Sequence, residues 1–170
     1  MNVTYRRAVS EDIPAIERLF SEMLASVGDE KTKGYEDGYL DKFFCGGDVI
    51  YVAVSDGEIV GYISVELHRD FVYLDDLSVT KRFRGKGIGK KLIKFAERYA
   101  AASSVPAASL HVESTNTVAR YLYQRLGYAV TATEESRFRM TKHIGKELLD
   151  VLYCKILCAA VFSHNLQPAL

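Results

Sequence analysis

One stretch, Asp75 to Ala96, limits what this chain can become. A β-rich run ends at Leu77-Ser78-Val79. The segment Arg82-Phe83-Arg84-Gly85-Lys86-Gly87-Ile88-Gly89 then leads into a helix whose apolar side is Ile88, Leu92, Phe95, Ala96 and Tyr99. Glycines at 85, 87 and 89 remove the Cβ atoms that would hold a ligand off the backbone, so N–H groups of the loop and first helical turn can converge on one acceptor. Lys81, Arg82, Arg84, Lys86, Lys90, Lys91 and Lys94 surround it, and no acidic residue lies between Leu77 and Ala96. Strand, glycine loop and helix together predict a site for a phosphate-bearing ligand.

The flanking sequence predicts a mixed α/β domain. Val3 to Ala8 reads as a strand, and Ser10 as the cap of a helix with Ile13, Ile16, Leu19, Phe20, Met23, Leu24 and Val27 at helical spacing. A polar link, 28–34, precedes a short helix near Tyr35 to Phe44. Two β-rich runs, 49–54 and 59–65, flank an Asp56-Gly57 hairpin signal, and Phe71 to Val79 is the next strand. After the glycine-loop helix come a strand at 109–112, a helix begun by Asn116 and ended by Gly127, and a last hairpin from Tyr128 to Thr133 and Arg137 to Lys142. Lys146 to Phe162 reads as a further helix, apolar nearly all round.

Two nucleotide-binding alternatives fail on single positions. A P-loop needs Lys followed by Ser or Thr after its last glycine, but Gly89 is followed by Lys90-Lys91. A dinucleotide fingerprint needs glycine at position 90 and follows a fold's first strand, whereas this loop follows several antiparallel elements. What remains is Arg84-x-x-Gly87-x-Gly89 between strand and helix, joined downstream by Asn116-x-x-Ala119-x-x-Leu122-Tyr123-x-x-x-Gly127-Tyr128. The pair, in this order, resembles the coenzyme A loop and the later helix of the GNAT superfamily of N-acetyltransferases. The resemblance covers about residues 2 to 144. It implies a mixed, strongly twisted sheet of about seven strands, flanked by helices, whose central parallel strands splay apart to admit the cofactor's pantetheine arm. Residues 1–144 would be the N-acetyltransferase domain and 145–170 a C-terminal helical appendage.

The same resemblance assigns roles. Acetyl-CoA would be the co-substrate, with its pyrophosphate held by Arg82, Arg84, Gly85, Lys86, Gly87, Gly89 and Lys90. Main-chain groups of Leu77 and Val79 would meet the pantetheine, the Val79 N–H lying near the thioester oxygen. Asn116 is a helix cap that also touches the cofactor or a plain cap, and Tyr123 is the general acid or a core tyrosine. A phenol of ordinary pKa about 10 protonates a thiolate whose conjugate acid is near 8.5 only with local tuning. Leu74-Asp75-Asp76-Leu77 resembles the Leu-Glu-Asp run of diamine acetyltransferases, where a carboxylate relays the amine's proton through water; the alternative is that one aspartate satisfies a buried backbone group. Simple alternation puts Asp75 on the face of Leu77 and Val79 and turns Asp76 away, and a bulge would swap them. His111 could assist proton transfer or be structural. No metal is expected, because Cys154 and Cys158 lack a second close pair.

Charge bounds the partners. Lys plus Arg and Asp plus Glu each number 22, so there is no global basic field for nucleic acid or anionic lipid. Without a signal-like N-terminus or a membrane-length apolar run, a cytoplasmic protein is expected. Asp29, Glu30, Glu36, Asp37, Asp41, Glu134 and Glu135 fall where the family forms its acceptor pocket. They favour a small cationic amine, such as a polyamine or aminoglycoside-like molecule, with a protein N-terminus or lysine as the alternative acceptor. A non-catalytic acyl-CoA-binding module is the other class left open. The Ile156 to Phe162 run is expected to pack on the domain or on a second subunit, the latter as a homodimer contact through the C-terminal helix.

Overall fold

The fold, a computed structural model, is described for residues 2–27, 39–44 and 46–145. Its frame is one seven-stranded sheet: β1 (Val3–Arg7), β2 (Val49–Ser55), β3 (Glu58–Leu67), β4 (Val72–Val79), β5 (Ala107–Glu113), β6 (Ala129–Glu134) and β7 (Arg137–His143). The spatial order is β1-β2-β3-β4-β5-β7-β6, and every neighbouring pair is antiparallel except β4 and β5. That exception follows from the α2 crossover (α2, Ile88–Ala102), which returns the chain to start β5 in the direction of β4.

Helices cover both faces. Alternation along β2 sends Val49 and Ala53 to one side and Ile50 and Val52 to the other, so this central strand is apolar on both. On one side α1 (Ile13–Val27) contributes Ile16, Leu19 and Phe20, joined by Leu40 and Phe43 of a 3-10 turn, Tyr39–Phe44, against Ile50, Val52 and Tyr62. On the other side α2 buries Ile88, Leu92, Ile93, Ala96, Ala100 and Ala101 against Val60, Ile63, Val65, Val72 and Leu74. The third helix, α3 (Thr117–Arg125), sets Tyr123 into that same core.

Local signals are honoured with one correction. The Asp56-Gly57 turn has φ of 51° and 81°, the double positive φ that a tight hairpin demands. Asn116 caps α3 by accepting the Ala119 N–H at 3.1 Å, and Gly127, at φ 90°, follows the helix end. Ser10, however, does not cap α1. It opens a 3-10 turn, Ser10–Asp12, and the oxygen that accepts the Val9 N–H belongs to Asp12, which also receives both guanidinium nitrogens of Arg6 at 2.5 and 2.8 Å. A longer carboxylate reaches both the turn and a strand cation, which a serine hydroxyl cannot.

The link at 28–34, the start of the second expected helix, the C-terminal helix, its apolar run and Cys154 and Cys158 lie outside the described residues. Among the described residues, no helix is long and apolar enough to cross a membrane.

Candidate functional site

The parallel strands part almost as soon as they meet. β4 and β5 pair only at Val72↔Ala108 and Tyr73↔Ser109; beyond Tyr73 the rest of β4, Leu74 to Val79, has no register partner in β5. A strand edge left open inside a sheet offers main-chain donors and acceptors to a ligand. The chain leaves this edge at Val79 and enters the glycine loop at once.

That loop has the geometry of an anion cradle. Gly85 and Gly87 take φ of 74° and 81°, a region that side-chain-bearing residues avoid. Gly89 is different: its conformation is helical and a Cβ there would meet Leu77 and Val79 only at ordinary contact distances of 3.7 and 4.0 Å. Neither backbone nor packing requires that glycine, so the missing side chain leaves room for an outside group. The first helical bond joins the Lys91 N–H to the Gly87 carbonyl, so the N–H groups of Ile88, Gly89 and Lys90 precede it, at the positive end of the helix dipole. Farther along α2, Lys90, Lys94, Arg98, Arg125 and Lys142 line a recess of about 380 Å³ with Glu97 and Leu126. The residues present fit a ligand carrying several phosphates.

Two of the expected phosphate ligands are turned to other tasks. Arg82 ion-pairs with Glu58 at the start of β3, and the Arg84 Nε donates to the Val79 carbonyl at 2.8 Å, fastening the loop to the strand end. The Lys86 ammonium sits 4.9 Å from the centre of the Phe83 ring.

The two aspartates occupy a bulge. Leu77 pairs with Ile63 and Leu74 with Val65, so Asp75 and Asp76 together stand opposite the single residue Ser64, whose Oγ accepts the Asp76 N–H at 2.9 Å. Val72 and Leu74 lie in the α2-side core, and Leu77 and Val79 pack against it. Partners across an antiparallel pair share a face, so both aspartates fall on the Ser64 face. Alternation through this point therefore fails: Asp75 does not share the face of Leu77 and Val79, because the extra residue resets the count.

Tyr123 is 8% exposed and stacks edge-on with Tyr128 at 5.7 Å. Burial, and then the nearby Tyr73 phenol, push its pKa up to about 12. The residue that sequence reasoning missed is Tyr73, at the last register pair before the gap. Its hydroxyl lies 2.9 Å from Nδ1 of His111, whose Nε2 is 3.3 Å from Glu134. Period-2 counting along β5, with Ala108, Leu110 and Val112 inward, would have turned His111 to the opposite face; pairing it with Tyr73 required the β4–β5 register. Of the acidic residues expected around an acceptor, Glu134 is thus engaged by His111, while Asp29, Glu30, Glu36 and Asp37 lie outside the described residues. No cluster of His, Cys, Asp and Glu suited to a metal occurs among the described residues.

A sequence model of the acetyltransferase (GNAT) family matches residues 14–128. The human N-acetylaspartate synthetase is 36% identical over 84 residues, which cover 48% of this chain and 28% of that protein. The chain thus matches little more than a quarter of that relative's length. The streptothricin acetyltransferase of Streptomyces lavendulae is 26% identical over 145 residues, 84% of this chain and 72% of that protein. The PaiA N-acetyltransferase of Thermoplasma acidophilum, solved in complex with coenzyme A, superposes with a TM-score of 0.68 at 19% identity, over 84% of this chain and 99% of that one.

Proposed function

The chain belongs to the acetyltransferase (GNAT) family, and from that premise we propose that it transfers an acetyl group from acetyl-CoA to a primary amine by direct attack in a ternary complex. The observation that carries this reading is the gap between β4 and β5, which opens past Tyr73 and leads along the strand into the glycine loop. A long ligand with its phosphates on the α2 N-terminus would lay its arm along that edge.

The bound co-substrate supplies the acetyl thioester, and the chain supplies the surroundings. Main-chain groups of Gly85, Lys86, Gly87, Gly89 and Lys90 anchor the pyrophosphate, with Arg82 and Arg84 free to re-pair toward it at little cost because both are exposed. Leu77 and Val79 offer backbone groups to the arm. Asn116 caps α3 and so fixes the helix that carries Tyr123, whose hydroxyl donates to the leaving sulfur. The charge of Asp75 acts on Tyr73 and would draw in a cationic amine, whose nitrogen attacks in its neutral form after giving a first proton to solvent.

The acceptor in this reading is a small amine. A relative aligned over most of the chain, a streptothricin acetyltransferase, supports a small molecule over a protein. A recess of about 250 Å³, lined by Asp70, Ser109, Thr131, Arg139 and Thr141 among others, opens on the same face of β5 as His111 and is the proposed seat. A panel of polyamines, aminoglycosides, amino acids and peptides, each with acetyl-CoA and read by free-thiol release, tests this. Turnover on a small amine is expected, and turnover on peptides alone would sink the small-amine reading in favour of a protein N-terminus or lysine.

A further inference from the structure

We propose that Tyr73, His111 and Glu134 form the proton relay of this site, with Tyr73 touching the amine, His111 receiving its proton and Glu134 acting as a positioning residue. This rests on the acetyltransferase reading above and names the base within it.

Three strands converge to build the relay. Tyr73 stands on β4 at the last pair before the gap, His111 on β5 two residues past Tyr73's partner Ser109, and Glu134 at the end of β6, reaching across β7. With a neutral imidazole the contacts give the relay a direction. A carboxylate only accepts, so the His111 Nε2, 3.3 Å from both Glu134 oxygens, carries the proton of the neutral ring. Nδ1 is then the unprotonated nitrogen and accepts from the Tyr73 hydroxyl at 2.9 Å. Burial, followed by the charge of Asp75, holds the Tyr73 phenol above its ordinary pKa, which keeps the hydroxyl a donor in the resting site. His111 is largely covered, its side chain 17% exposed, whereas Glu134 at 44% reaches solvent.

The step balances. As the amine nitrogen bonds to the acetyl carbon and the carbon–sulfur bond breaks, the nitrogen's proton passes to the Tyr73 oxygen while the Tyr73 proton passes to Nδ1. The resulting imidazolium is held by Glu134 and returns its proton to water at that exposed edge. The departing sulfur takes its hydrogen bond from Tyr123. No oxidant or metal is involved, and the arrangement is a base oriented by a third group.

Two experiments on the full chain test this. In a long-range proton–nitrogen NMR spectrum of histidine-labelled protein, with His111→Gln giving the assignment, we expect His111 as the Nε2–H tautomer. Tyr73→Phe should shift its Nδ1 resonance and Glu134→Gln should mix the tautomers. An Nδ1–H tautomer, or an Nδ1 resonance indifferent to Tyr73→Phe, overturns the relay. With the amine that gives fastest thiol release, His111→Gln and Tyr73→Phe should each lower kcat/KM by about 10²- to 10⁴-fold at unchanged coenzyme A affinity. A loss below about threefold in both, with the unaltered chain active, overturns the relay alone. An unaltered chain that binds coenzyme A yet acetylates no amine overturns the transferase reading and the relay with it.

Discussion

At the scale of single residues, Tyr123 shows how environment selects a role. A phenol held at about 12 is a weaker acid than a free tyrosine, so complete proton transfer to a thiolate is uphill. What burial preserves is the O–H itself, which in the proposed reaction would serve as a hydrogen-bond donor to the sulfur. Tyr123→Phe should lower kcat by about 10²-fold or more with coenzyme A affinity little changed. Ultraviolet titration should show no ionisation of Tyr123 below about pH 11, as the difference between wild type and Tyr123→Phe. Tyr123 was legible as a candidate because a spaced motif surrounds it. The facing of Asp75 and Asp76 was not, because one additional residue in β4 reverses side-chain parity and leaves no trace in a run of strand-like residues.

At the scale of elements, the α2 N-terminus and the start of α1 make separate predictions. Gly87, at φ 81°, is required by the backbone, so Gly87→Ala should lower stability by about 1–2 kcal/mol in urea denaturation, with or without ligand. At the other helix, the hydrogen bonds from Arg6 hold the Asp12 carboxyl below its ordinary value. A depressed carboxylate lends stability above its unfolded pKa, near 3.9, and loses it as pH falls through the lower folded value. The stability difference between wild type and Asp12→Asn should therefore be greatest near neutrality and shrink below about pH 4, and a difference that grows in acid would contradict the ion pair. Helices and the Asp-Gly hairpin could be read from periodicity and turn chemistry. The capping role of Asp12 could not, because Arg6 and Asp12 meet only once β1 is in the sheet.

At the scale of the whole molecule, the alternation of β and α units around an antiparallel start announced the mixed sheet. The resemblance to the GNAT superfamily supplied the expectation that its middle strands part. Which residues flank that parting depends on long-range register: two pairs between β4 and β5, then none. The approach of Tyr73 to His111 follows only from it. The proposed seat of acetyl-CoA is this gap together with the glycine loop. Gly89 separates binding from folding, since neither its backbone angle nor its neighbours forbid a methyl group and alanine is the better helix residue. Calorimetric titration of coenzyme A into wild type and Gly89→Ala, beside their urea midpoints, tests it most directly. The expected result is saturable binding by wild type and at least about tenfold weaker binding by a variant that is no less stable; equal binding by both, or none by wild type, would rule out acetyl-CoA at this site.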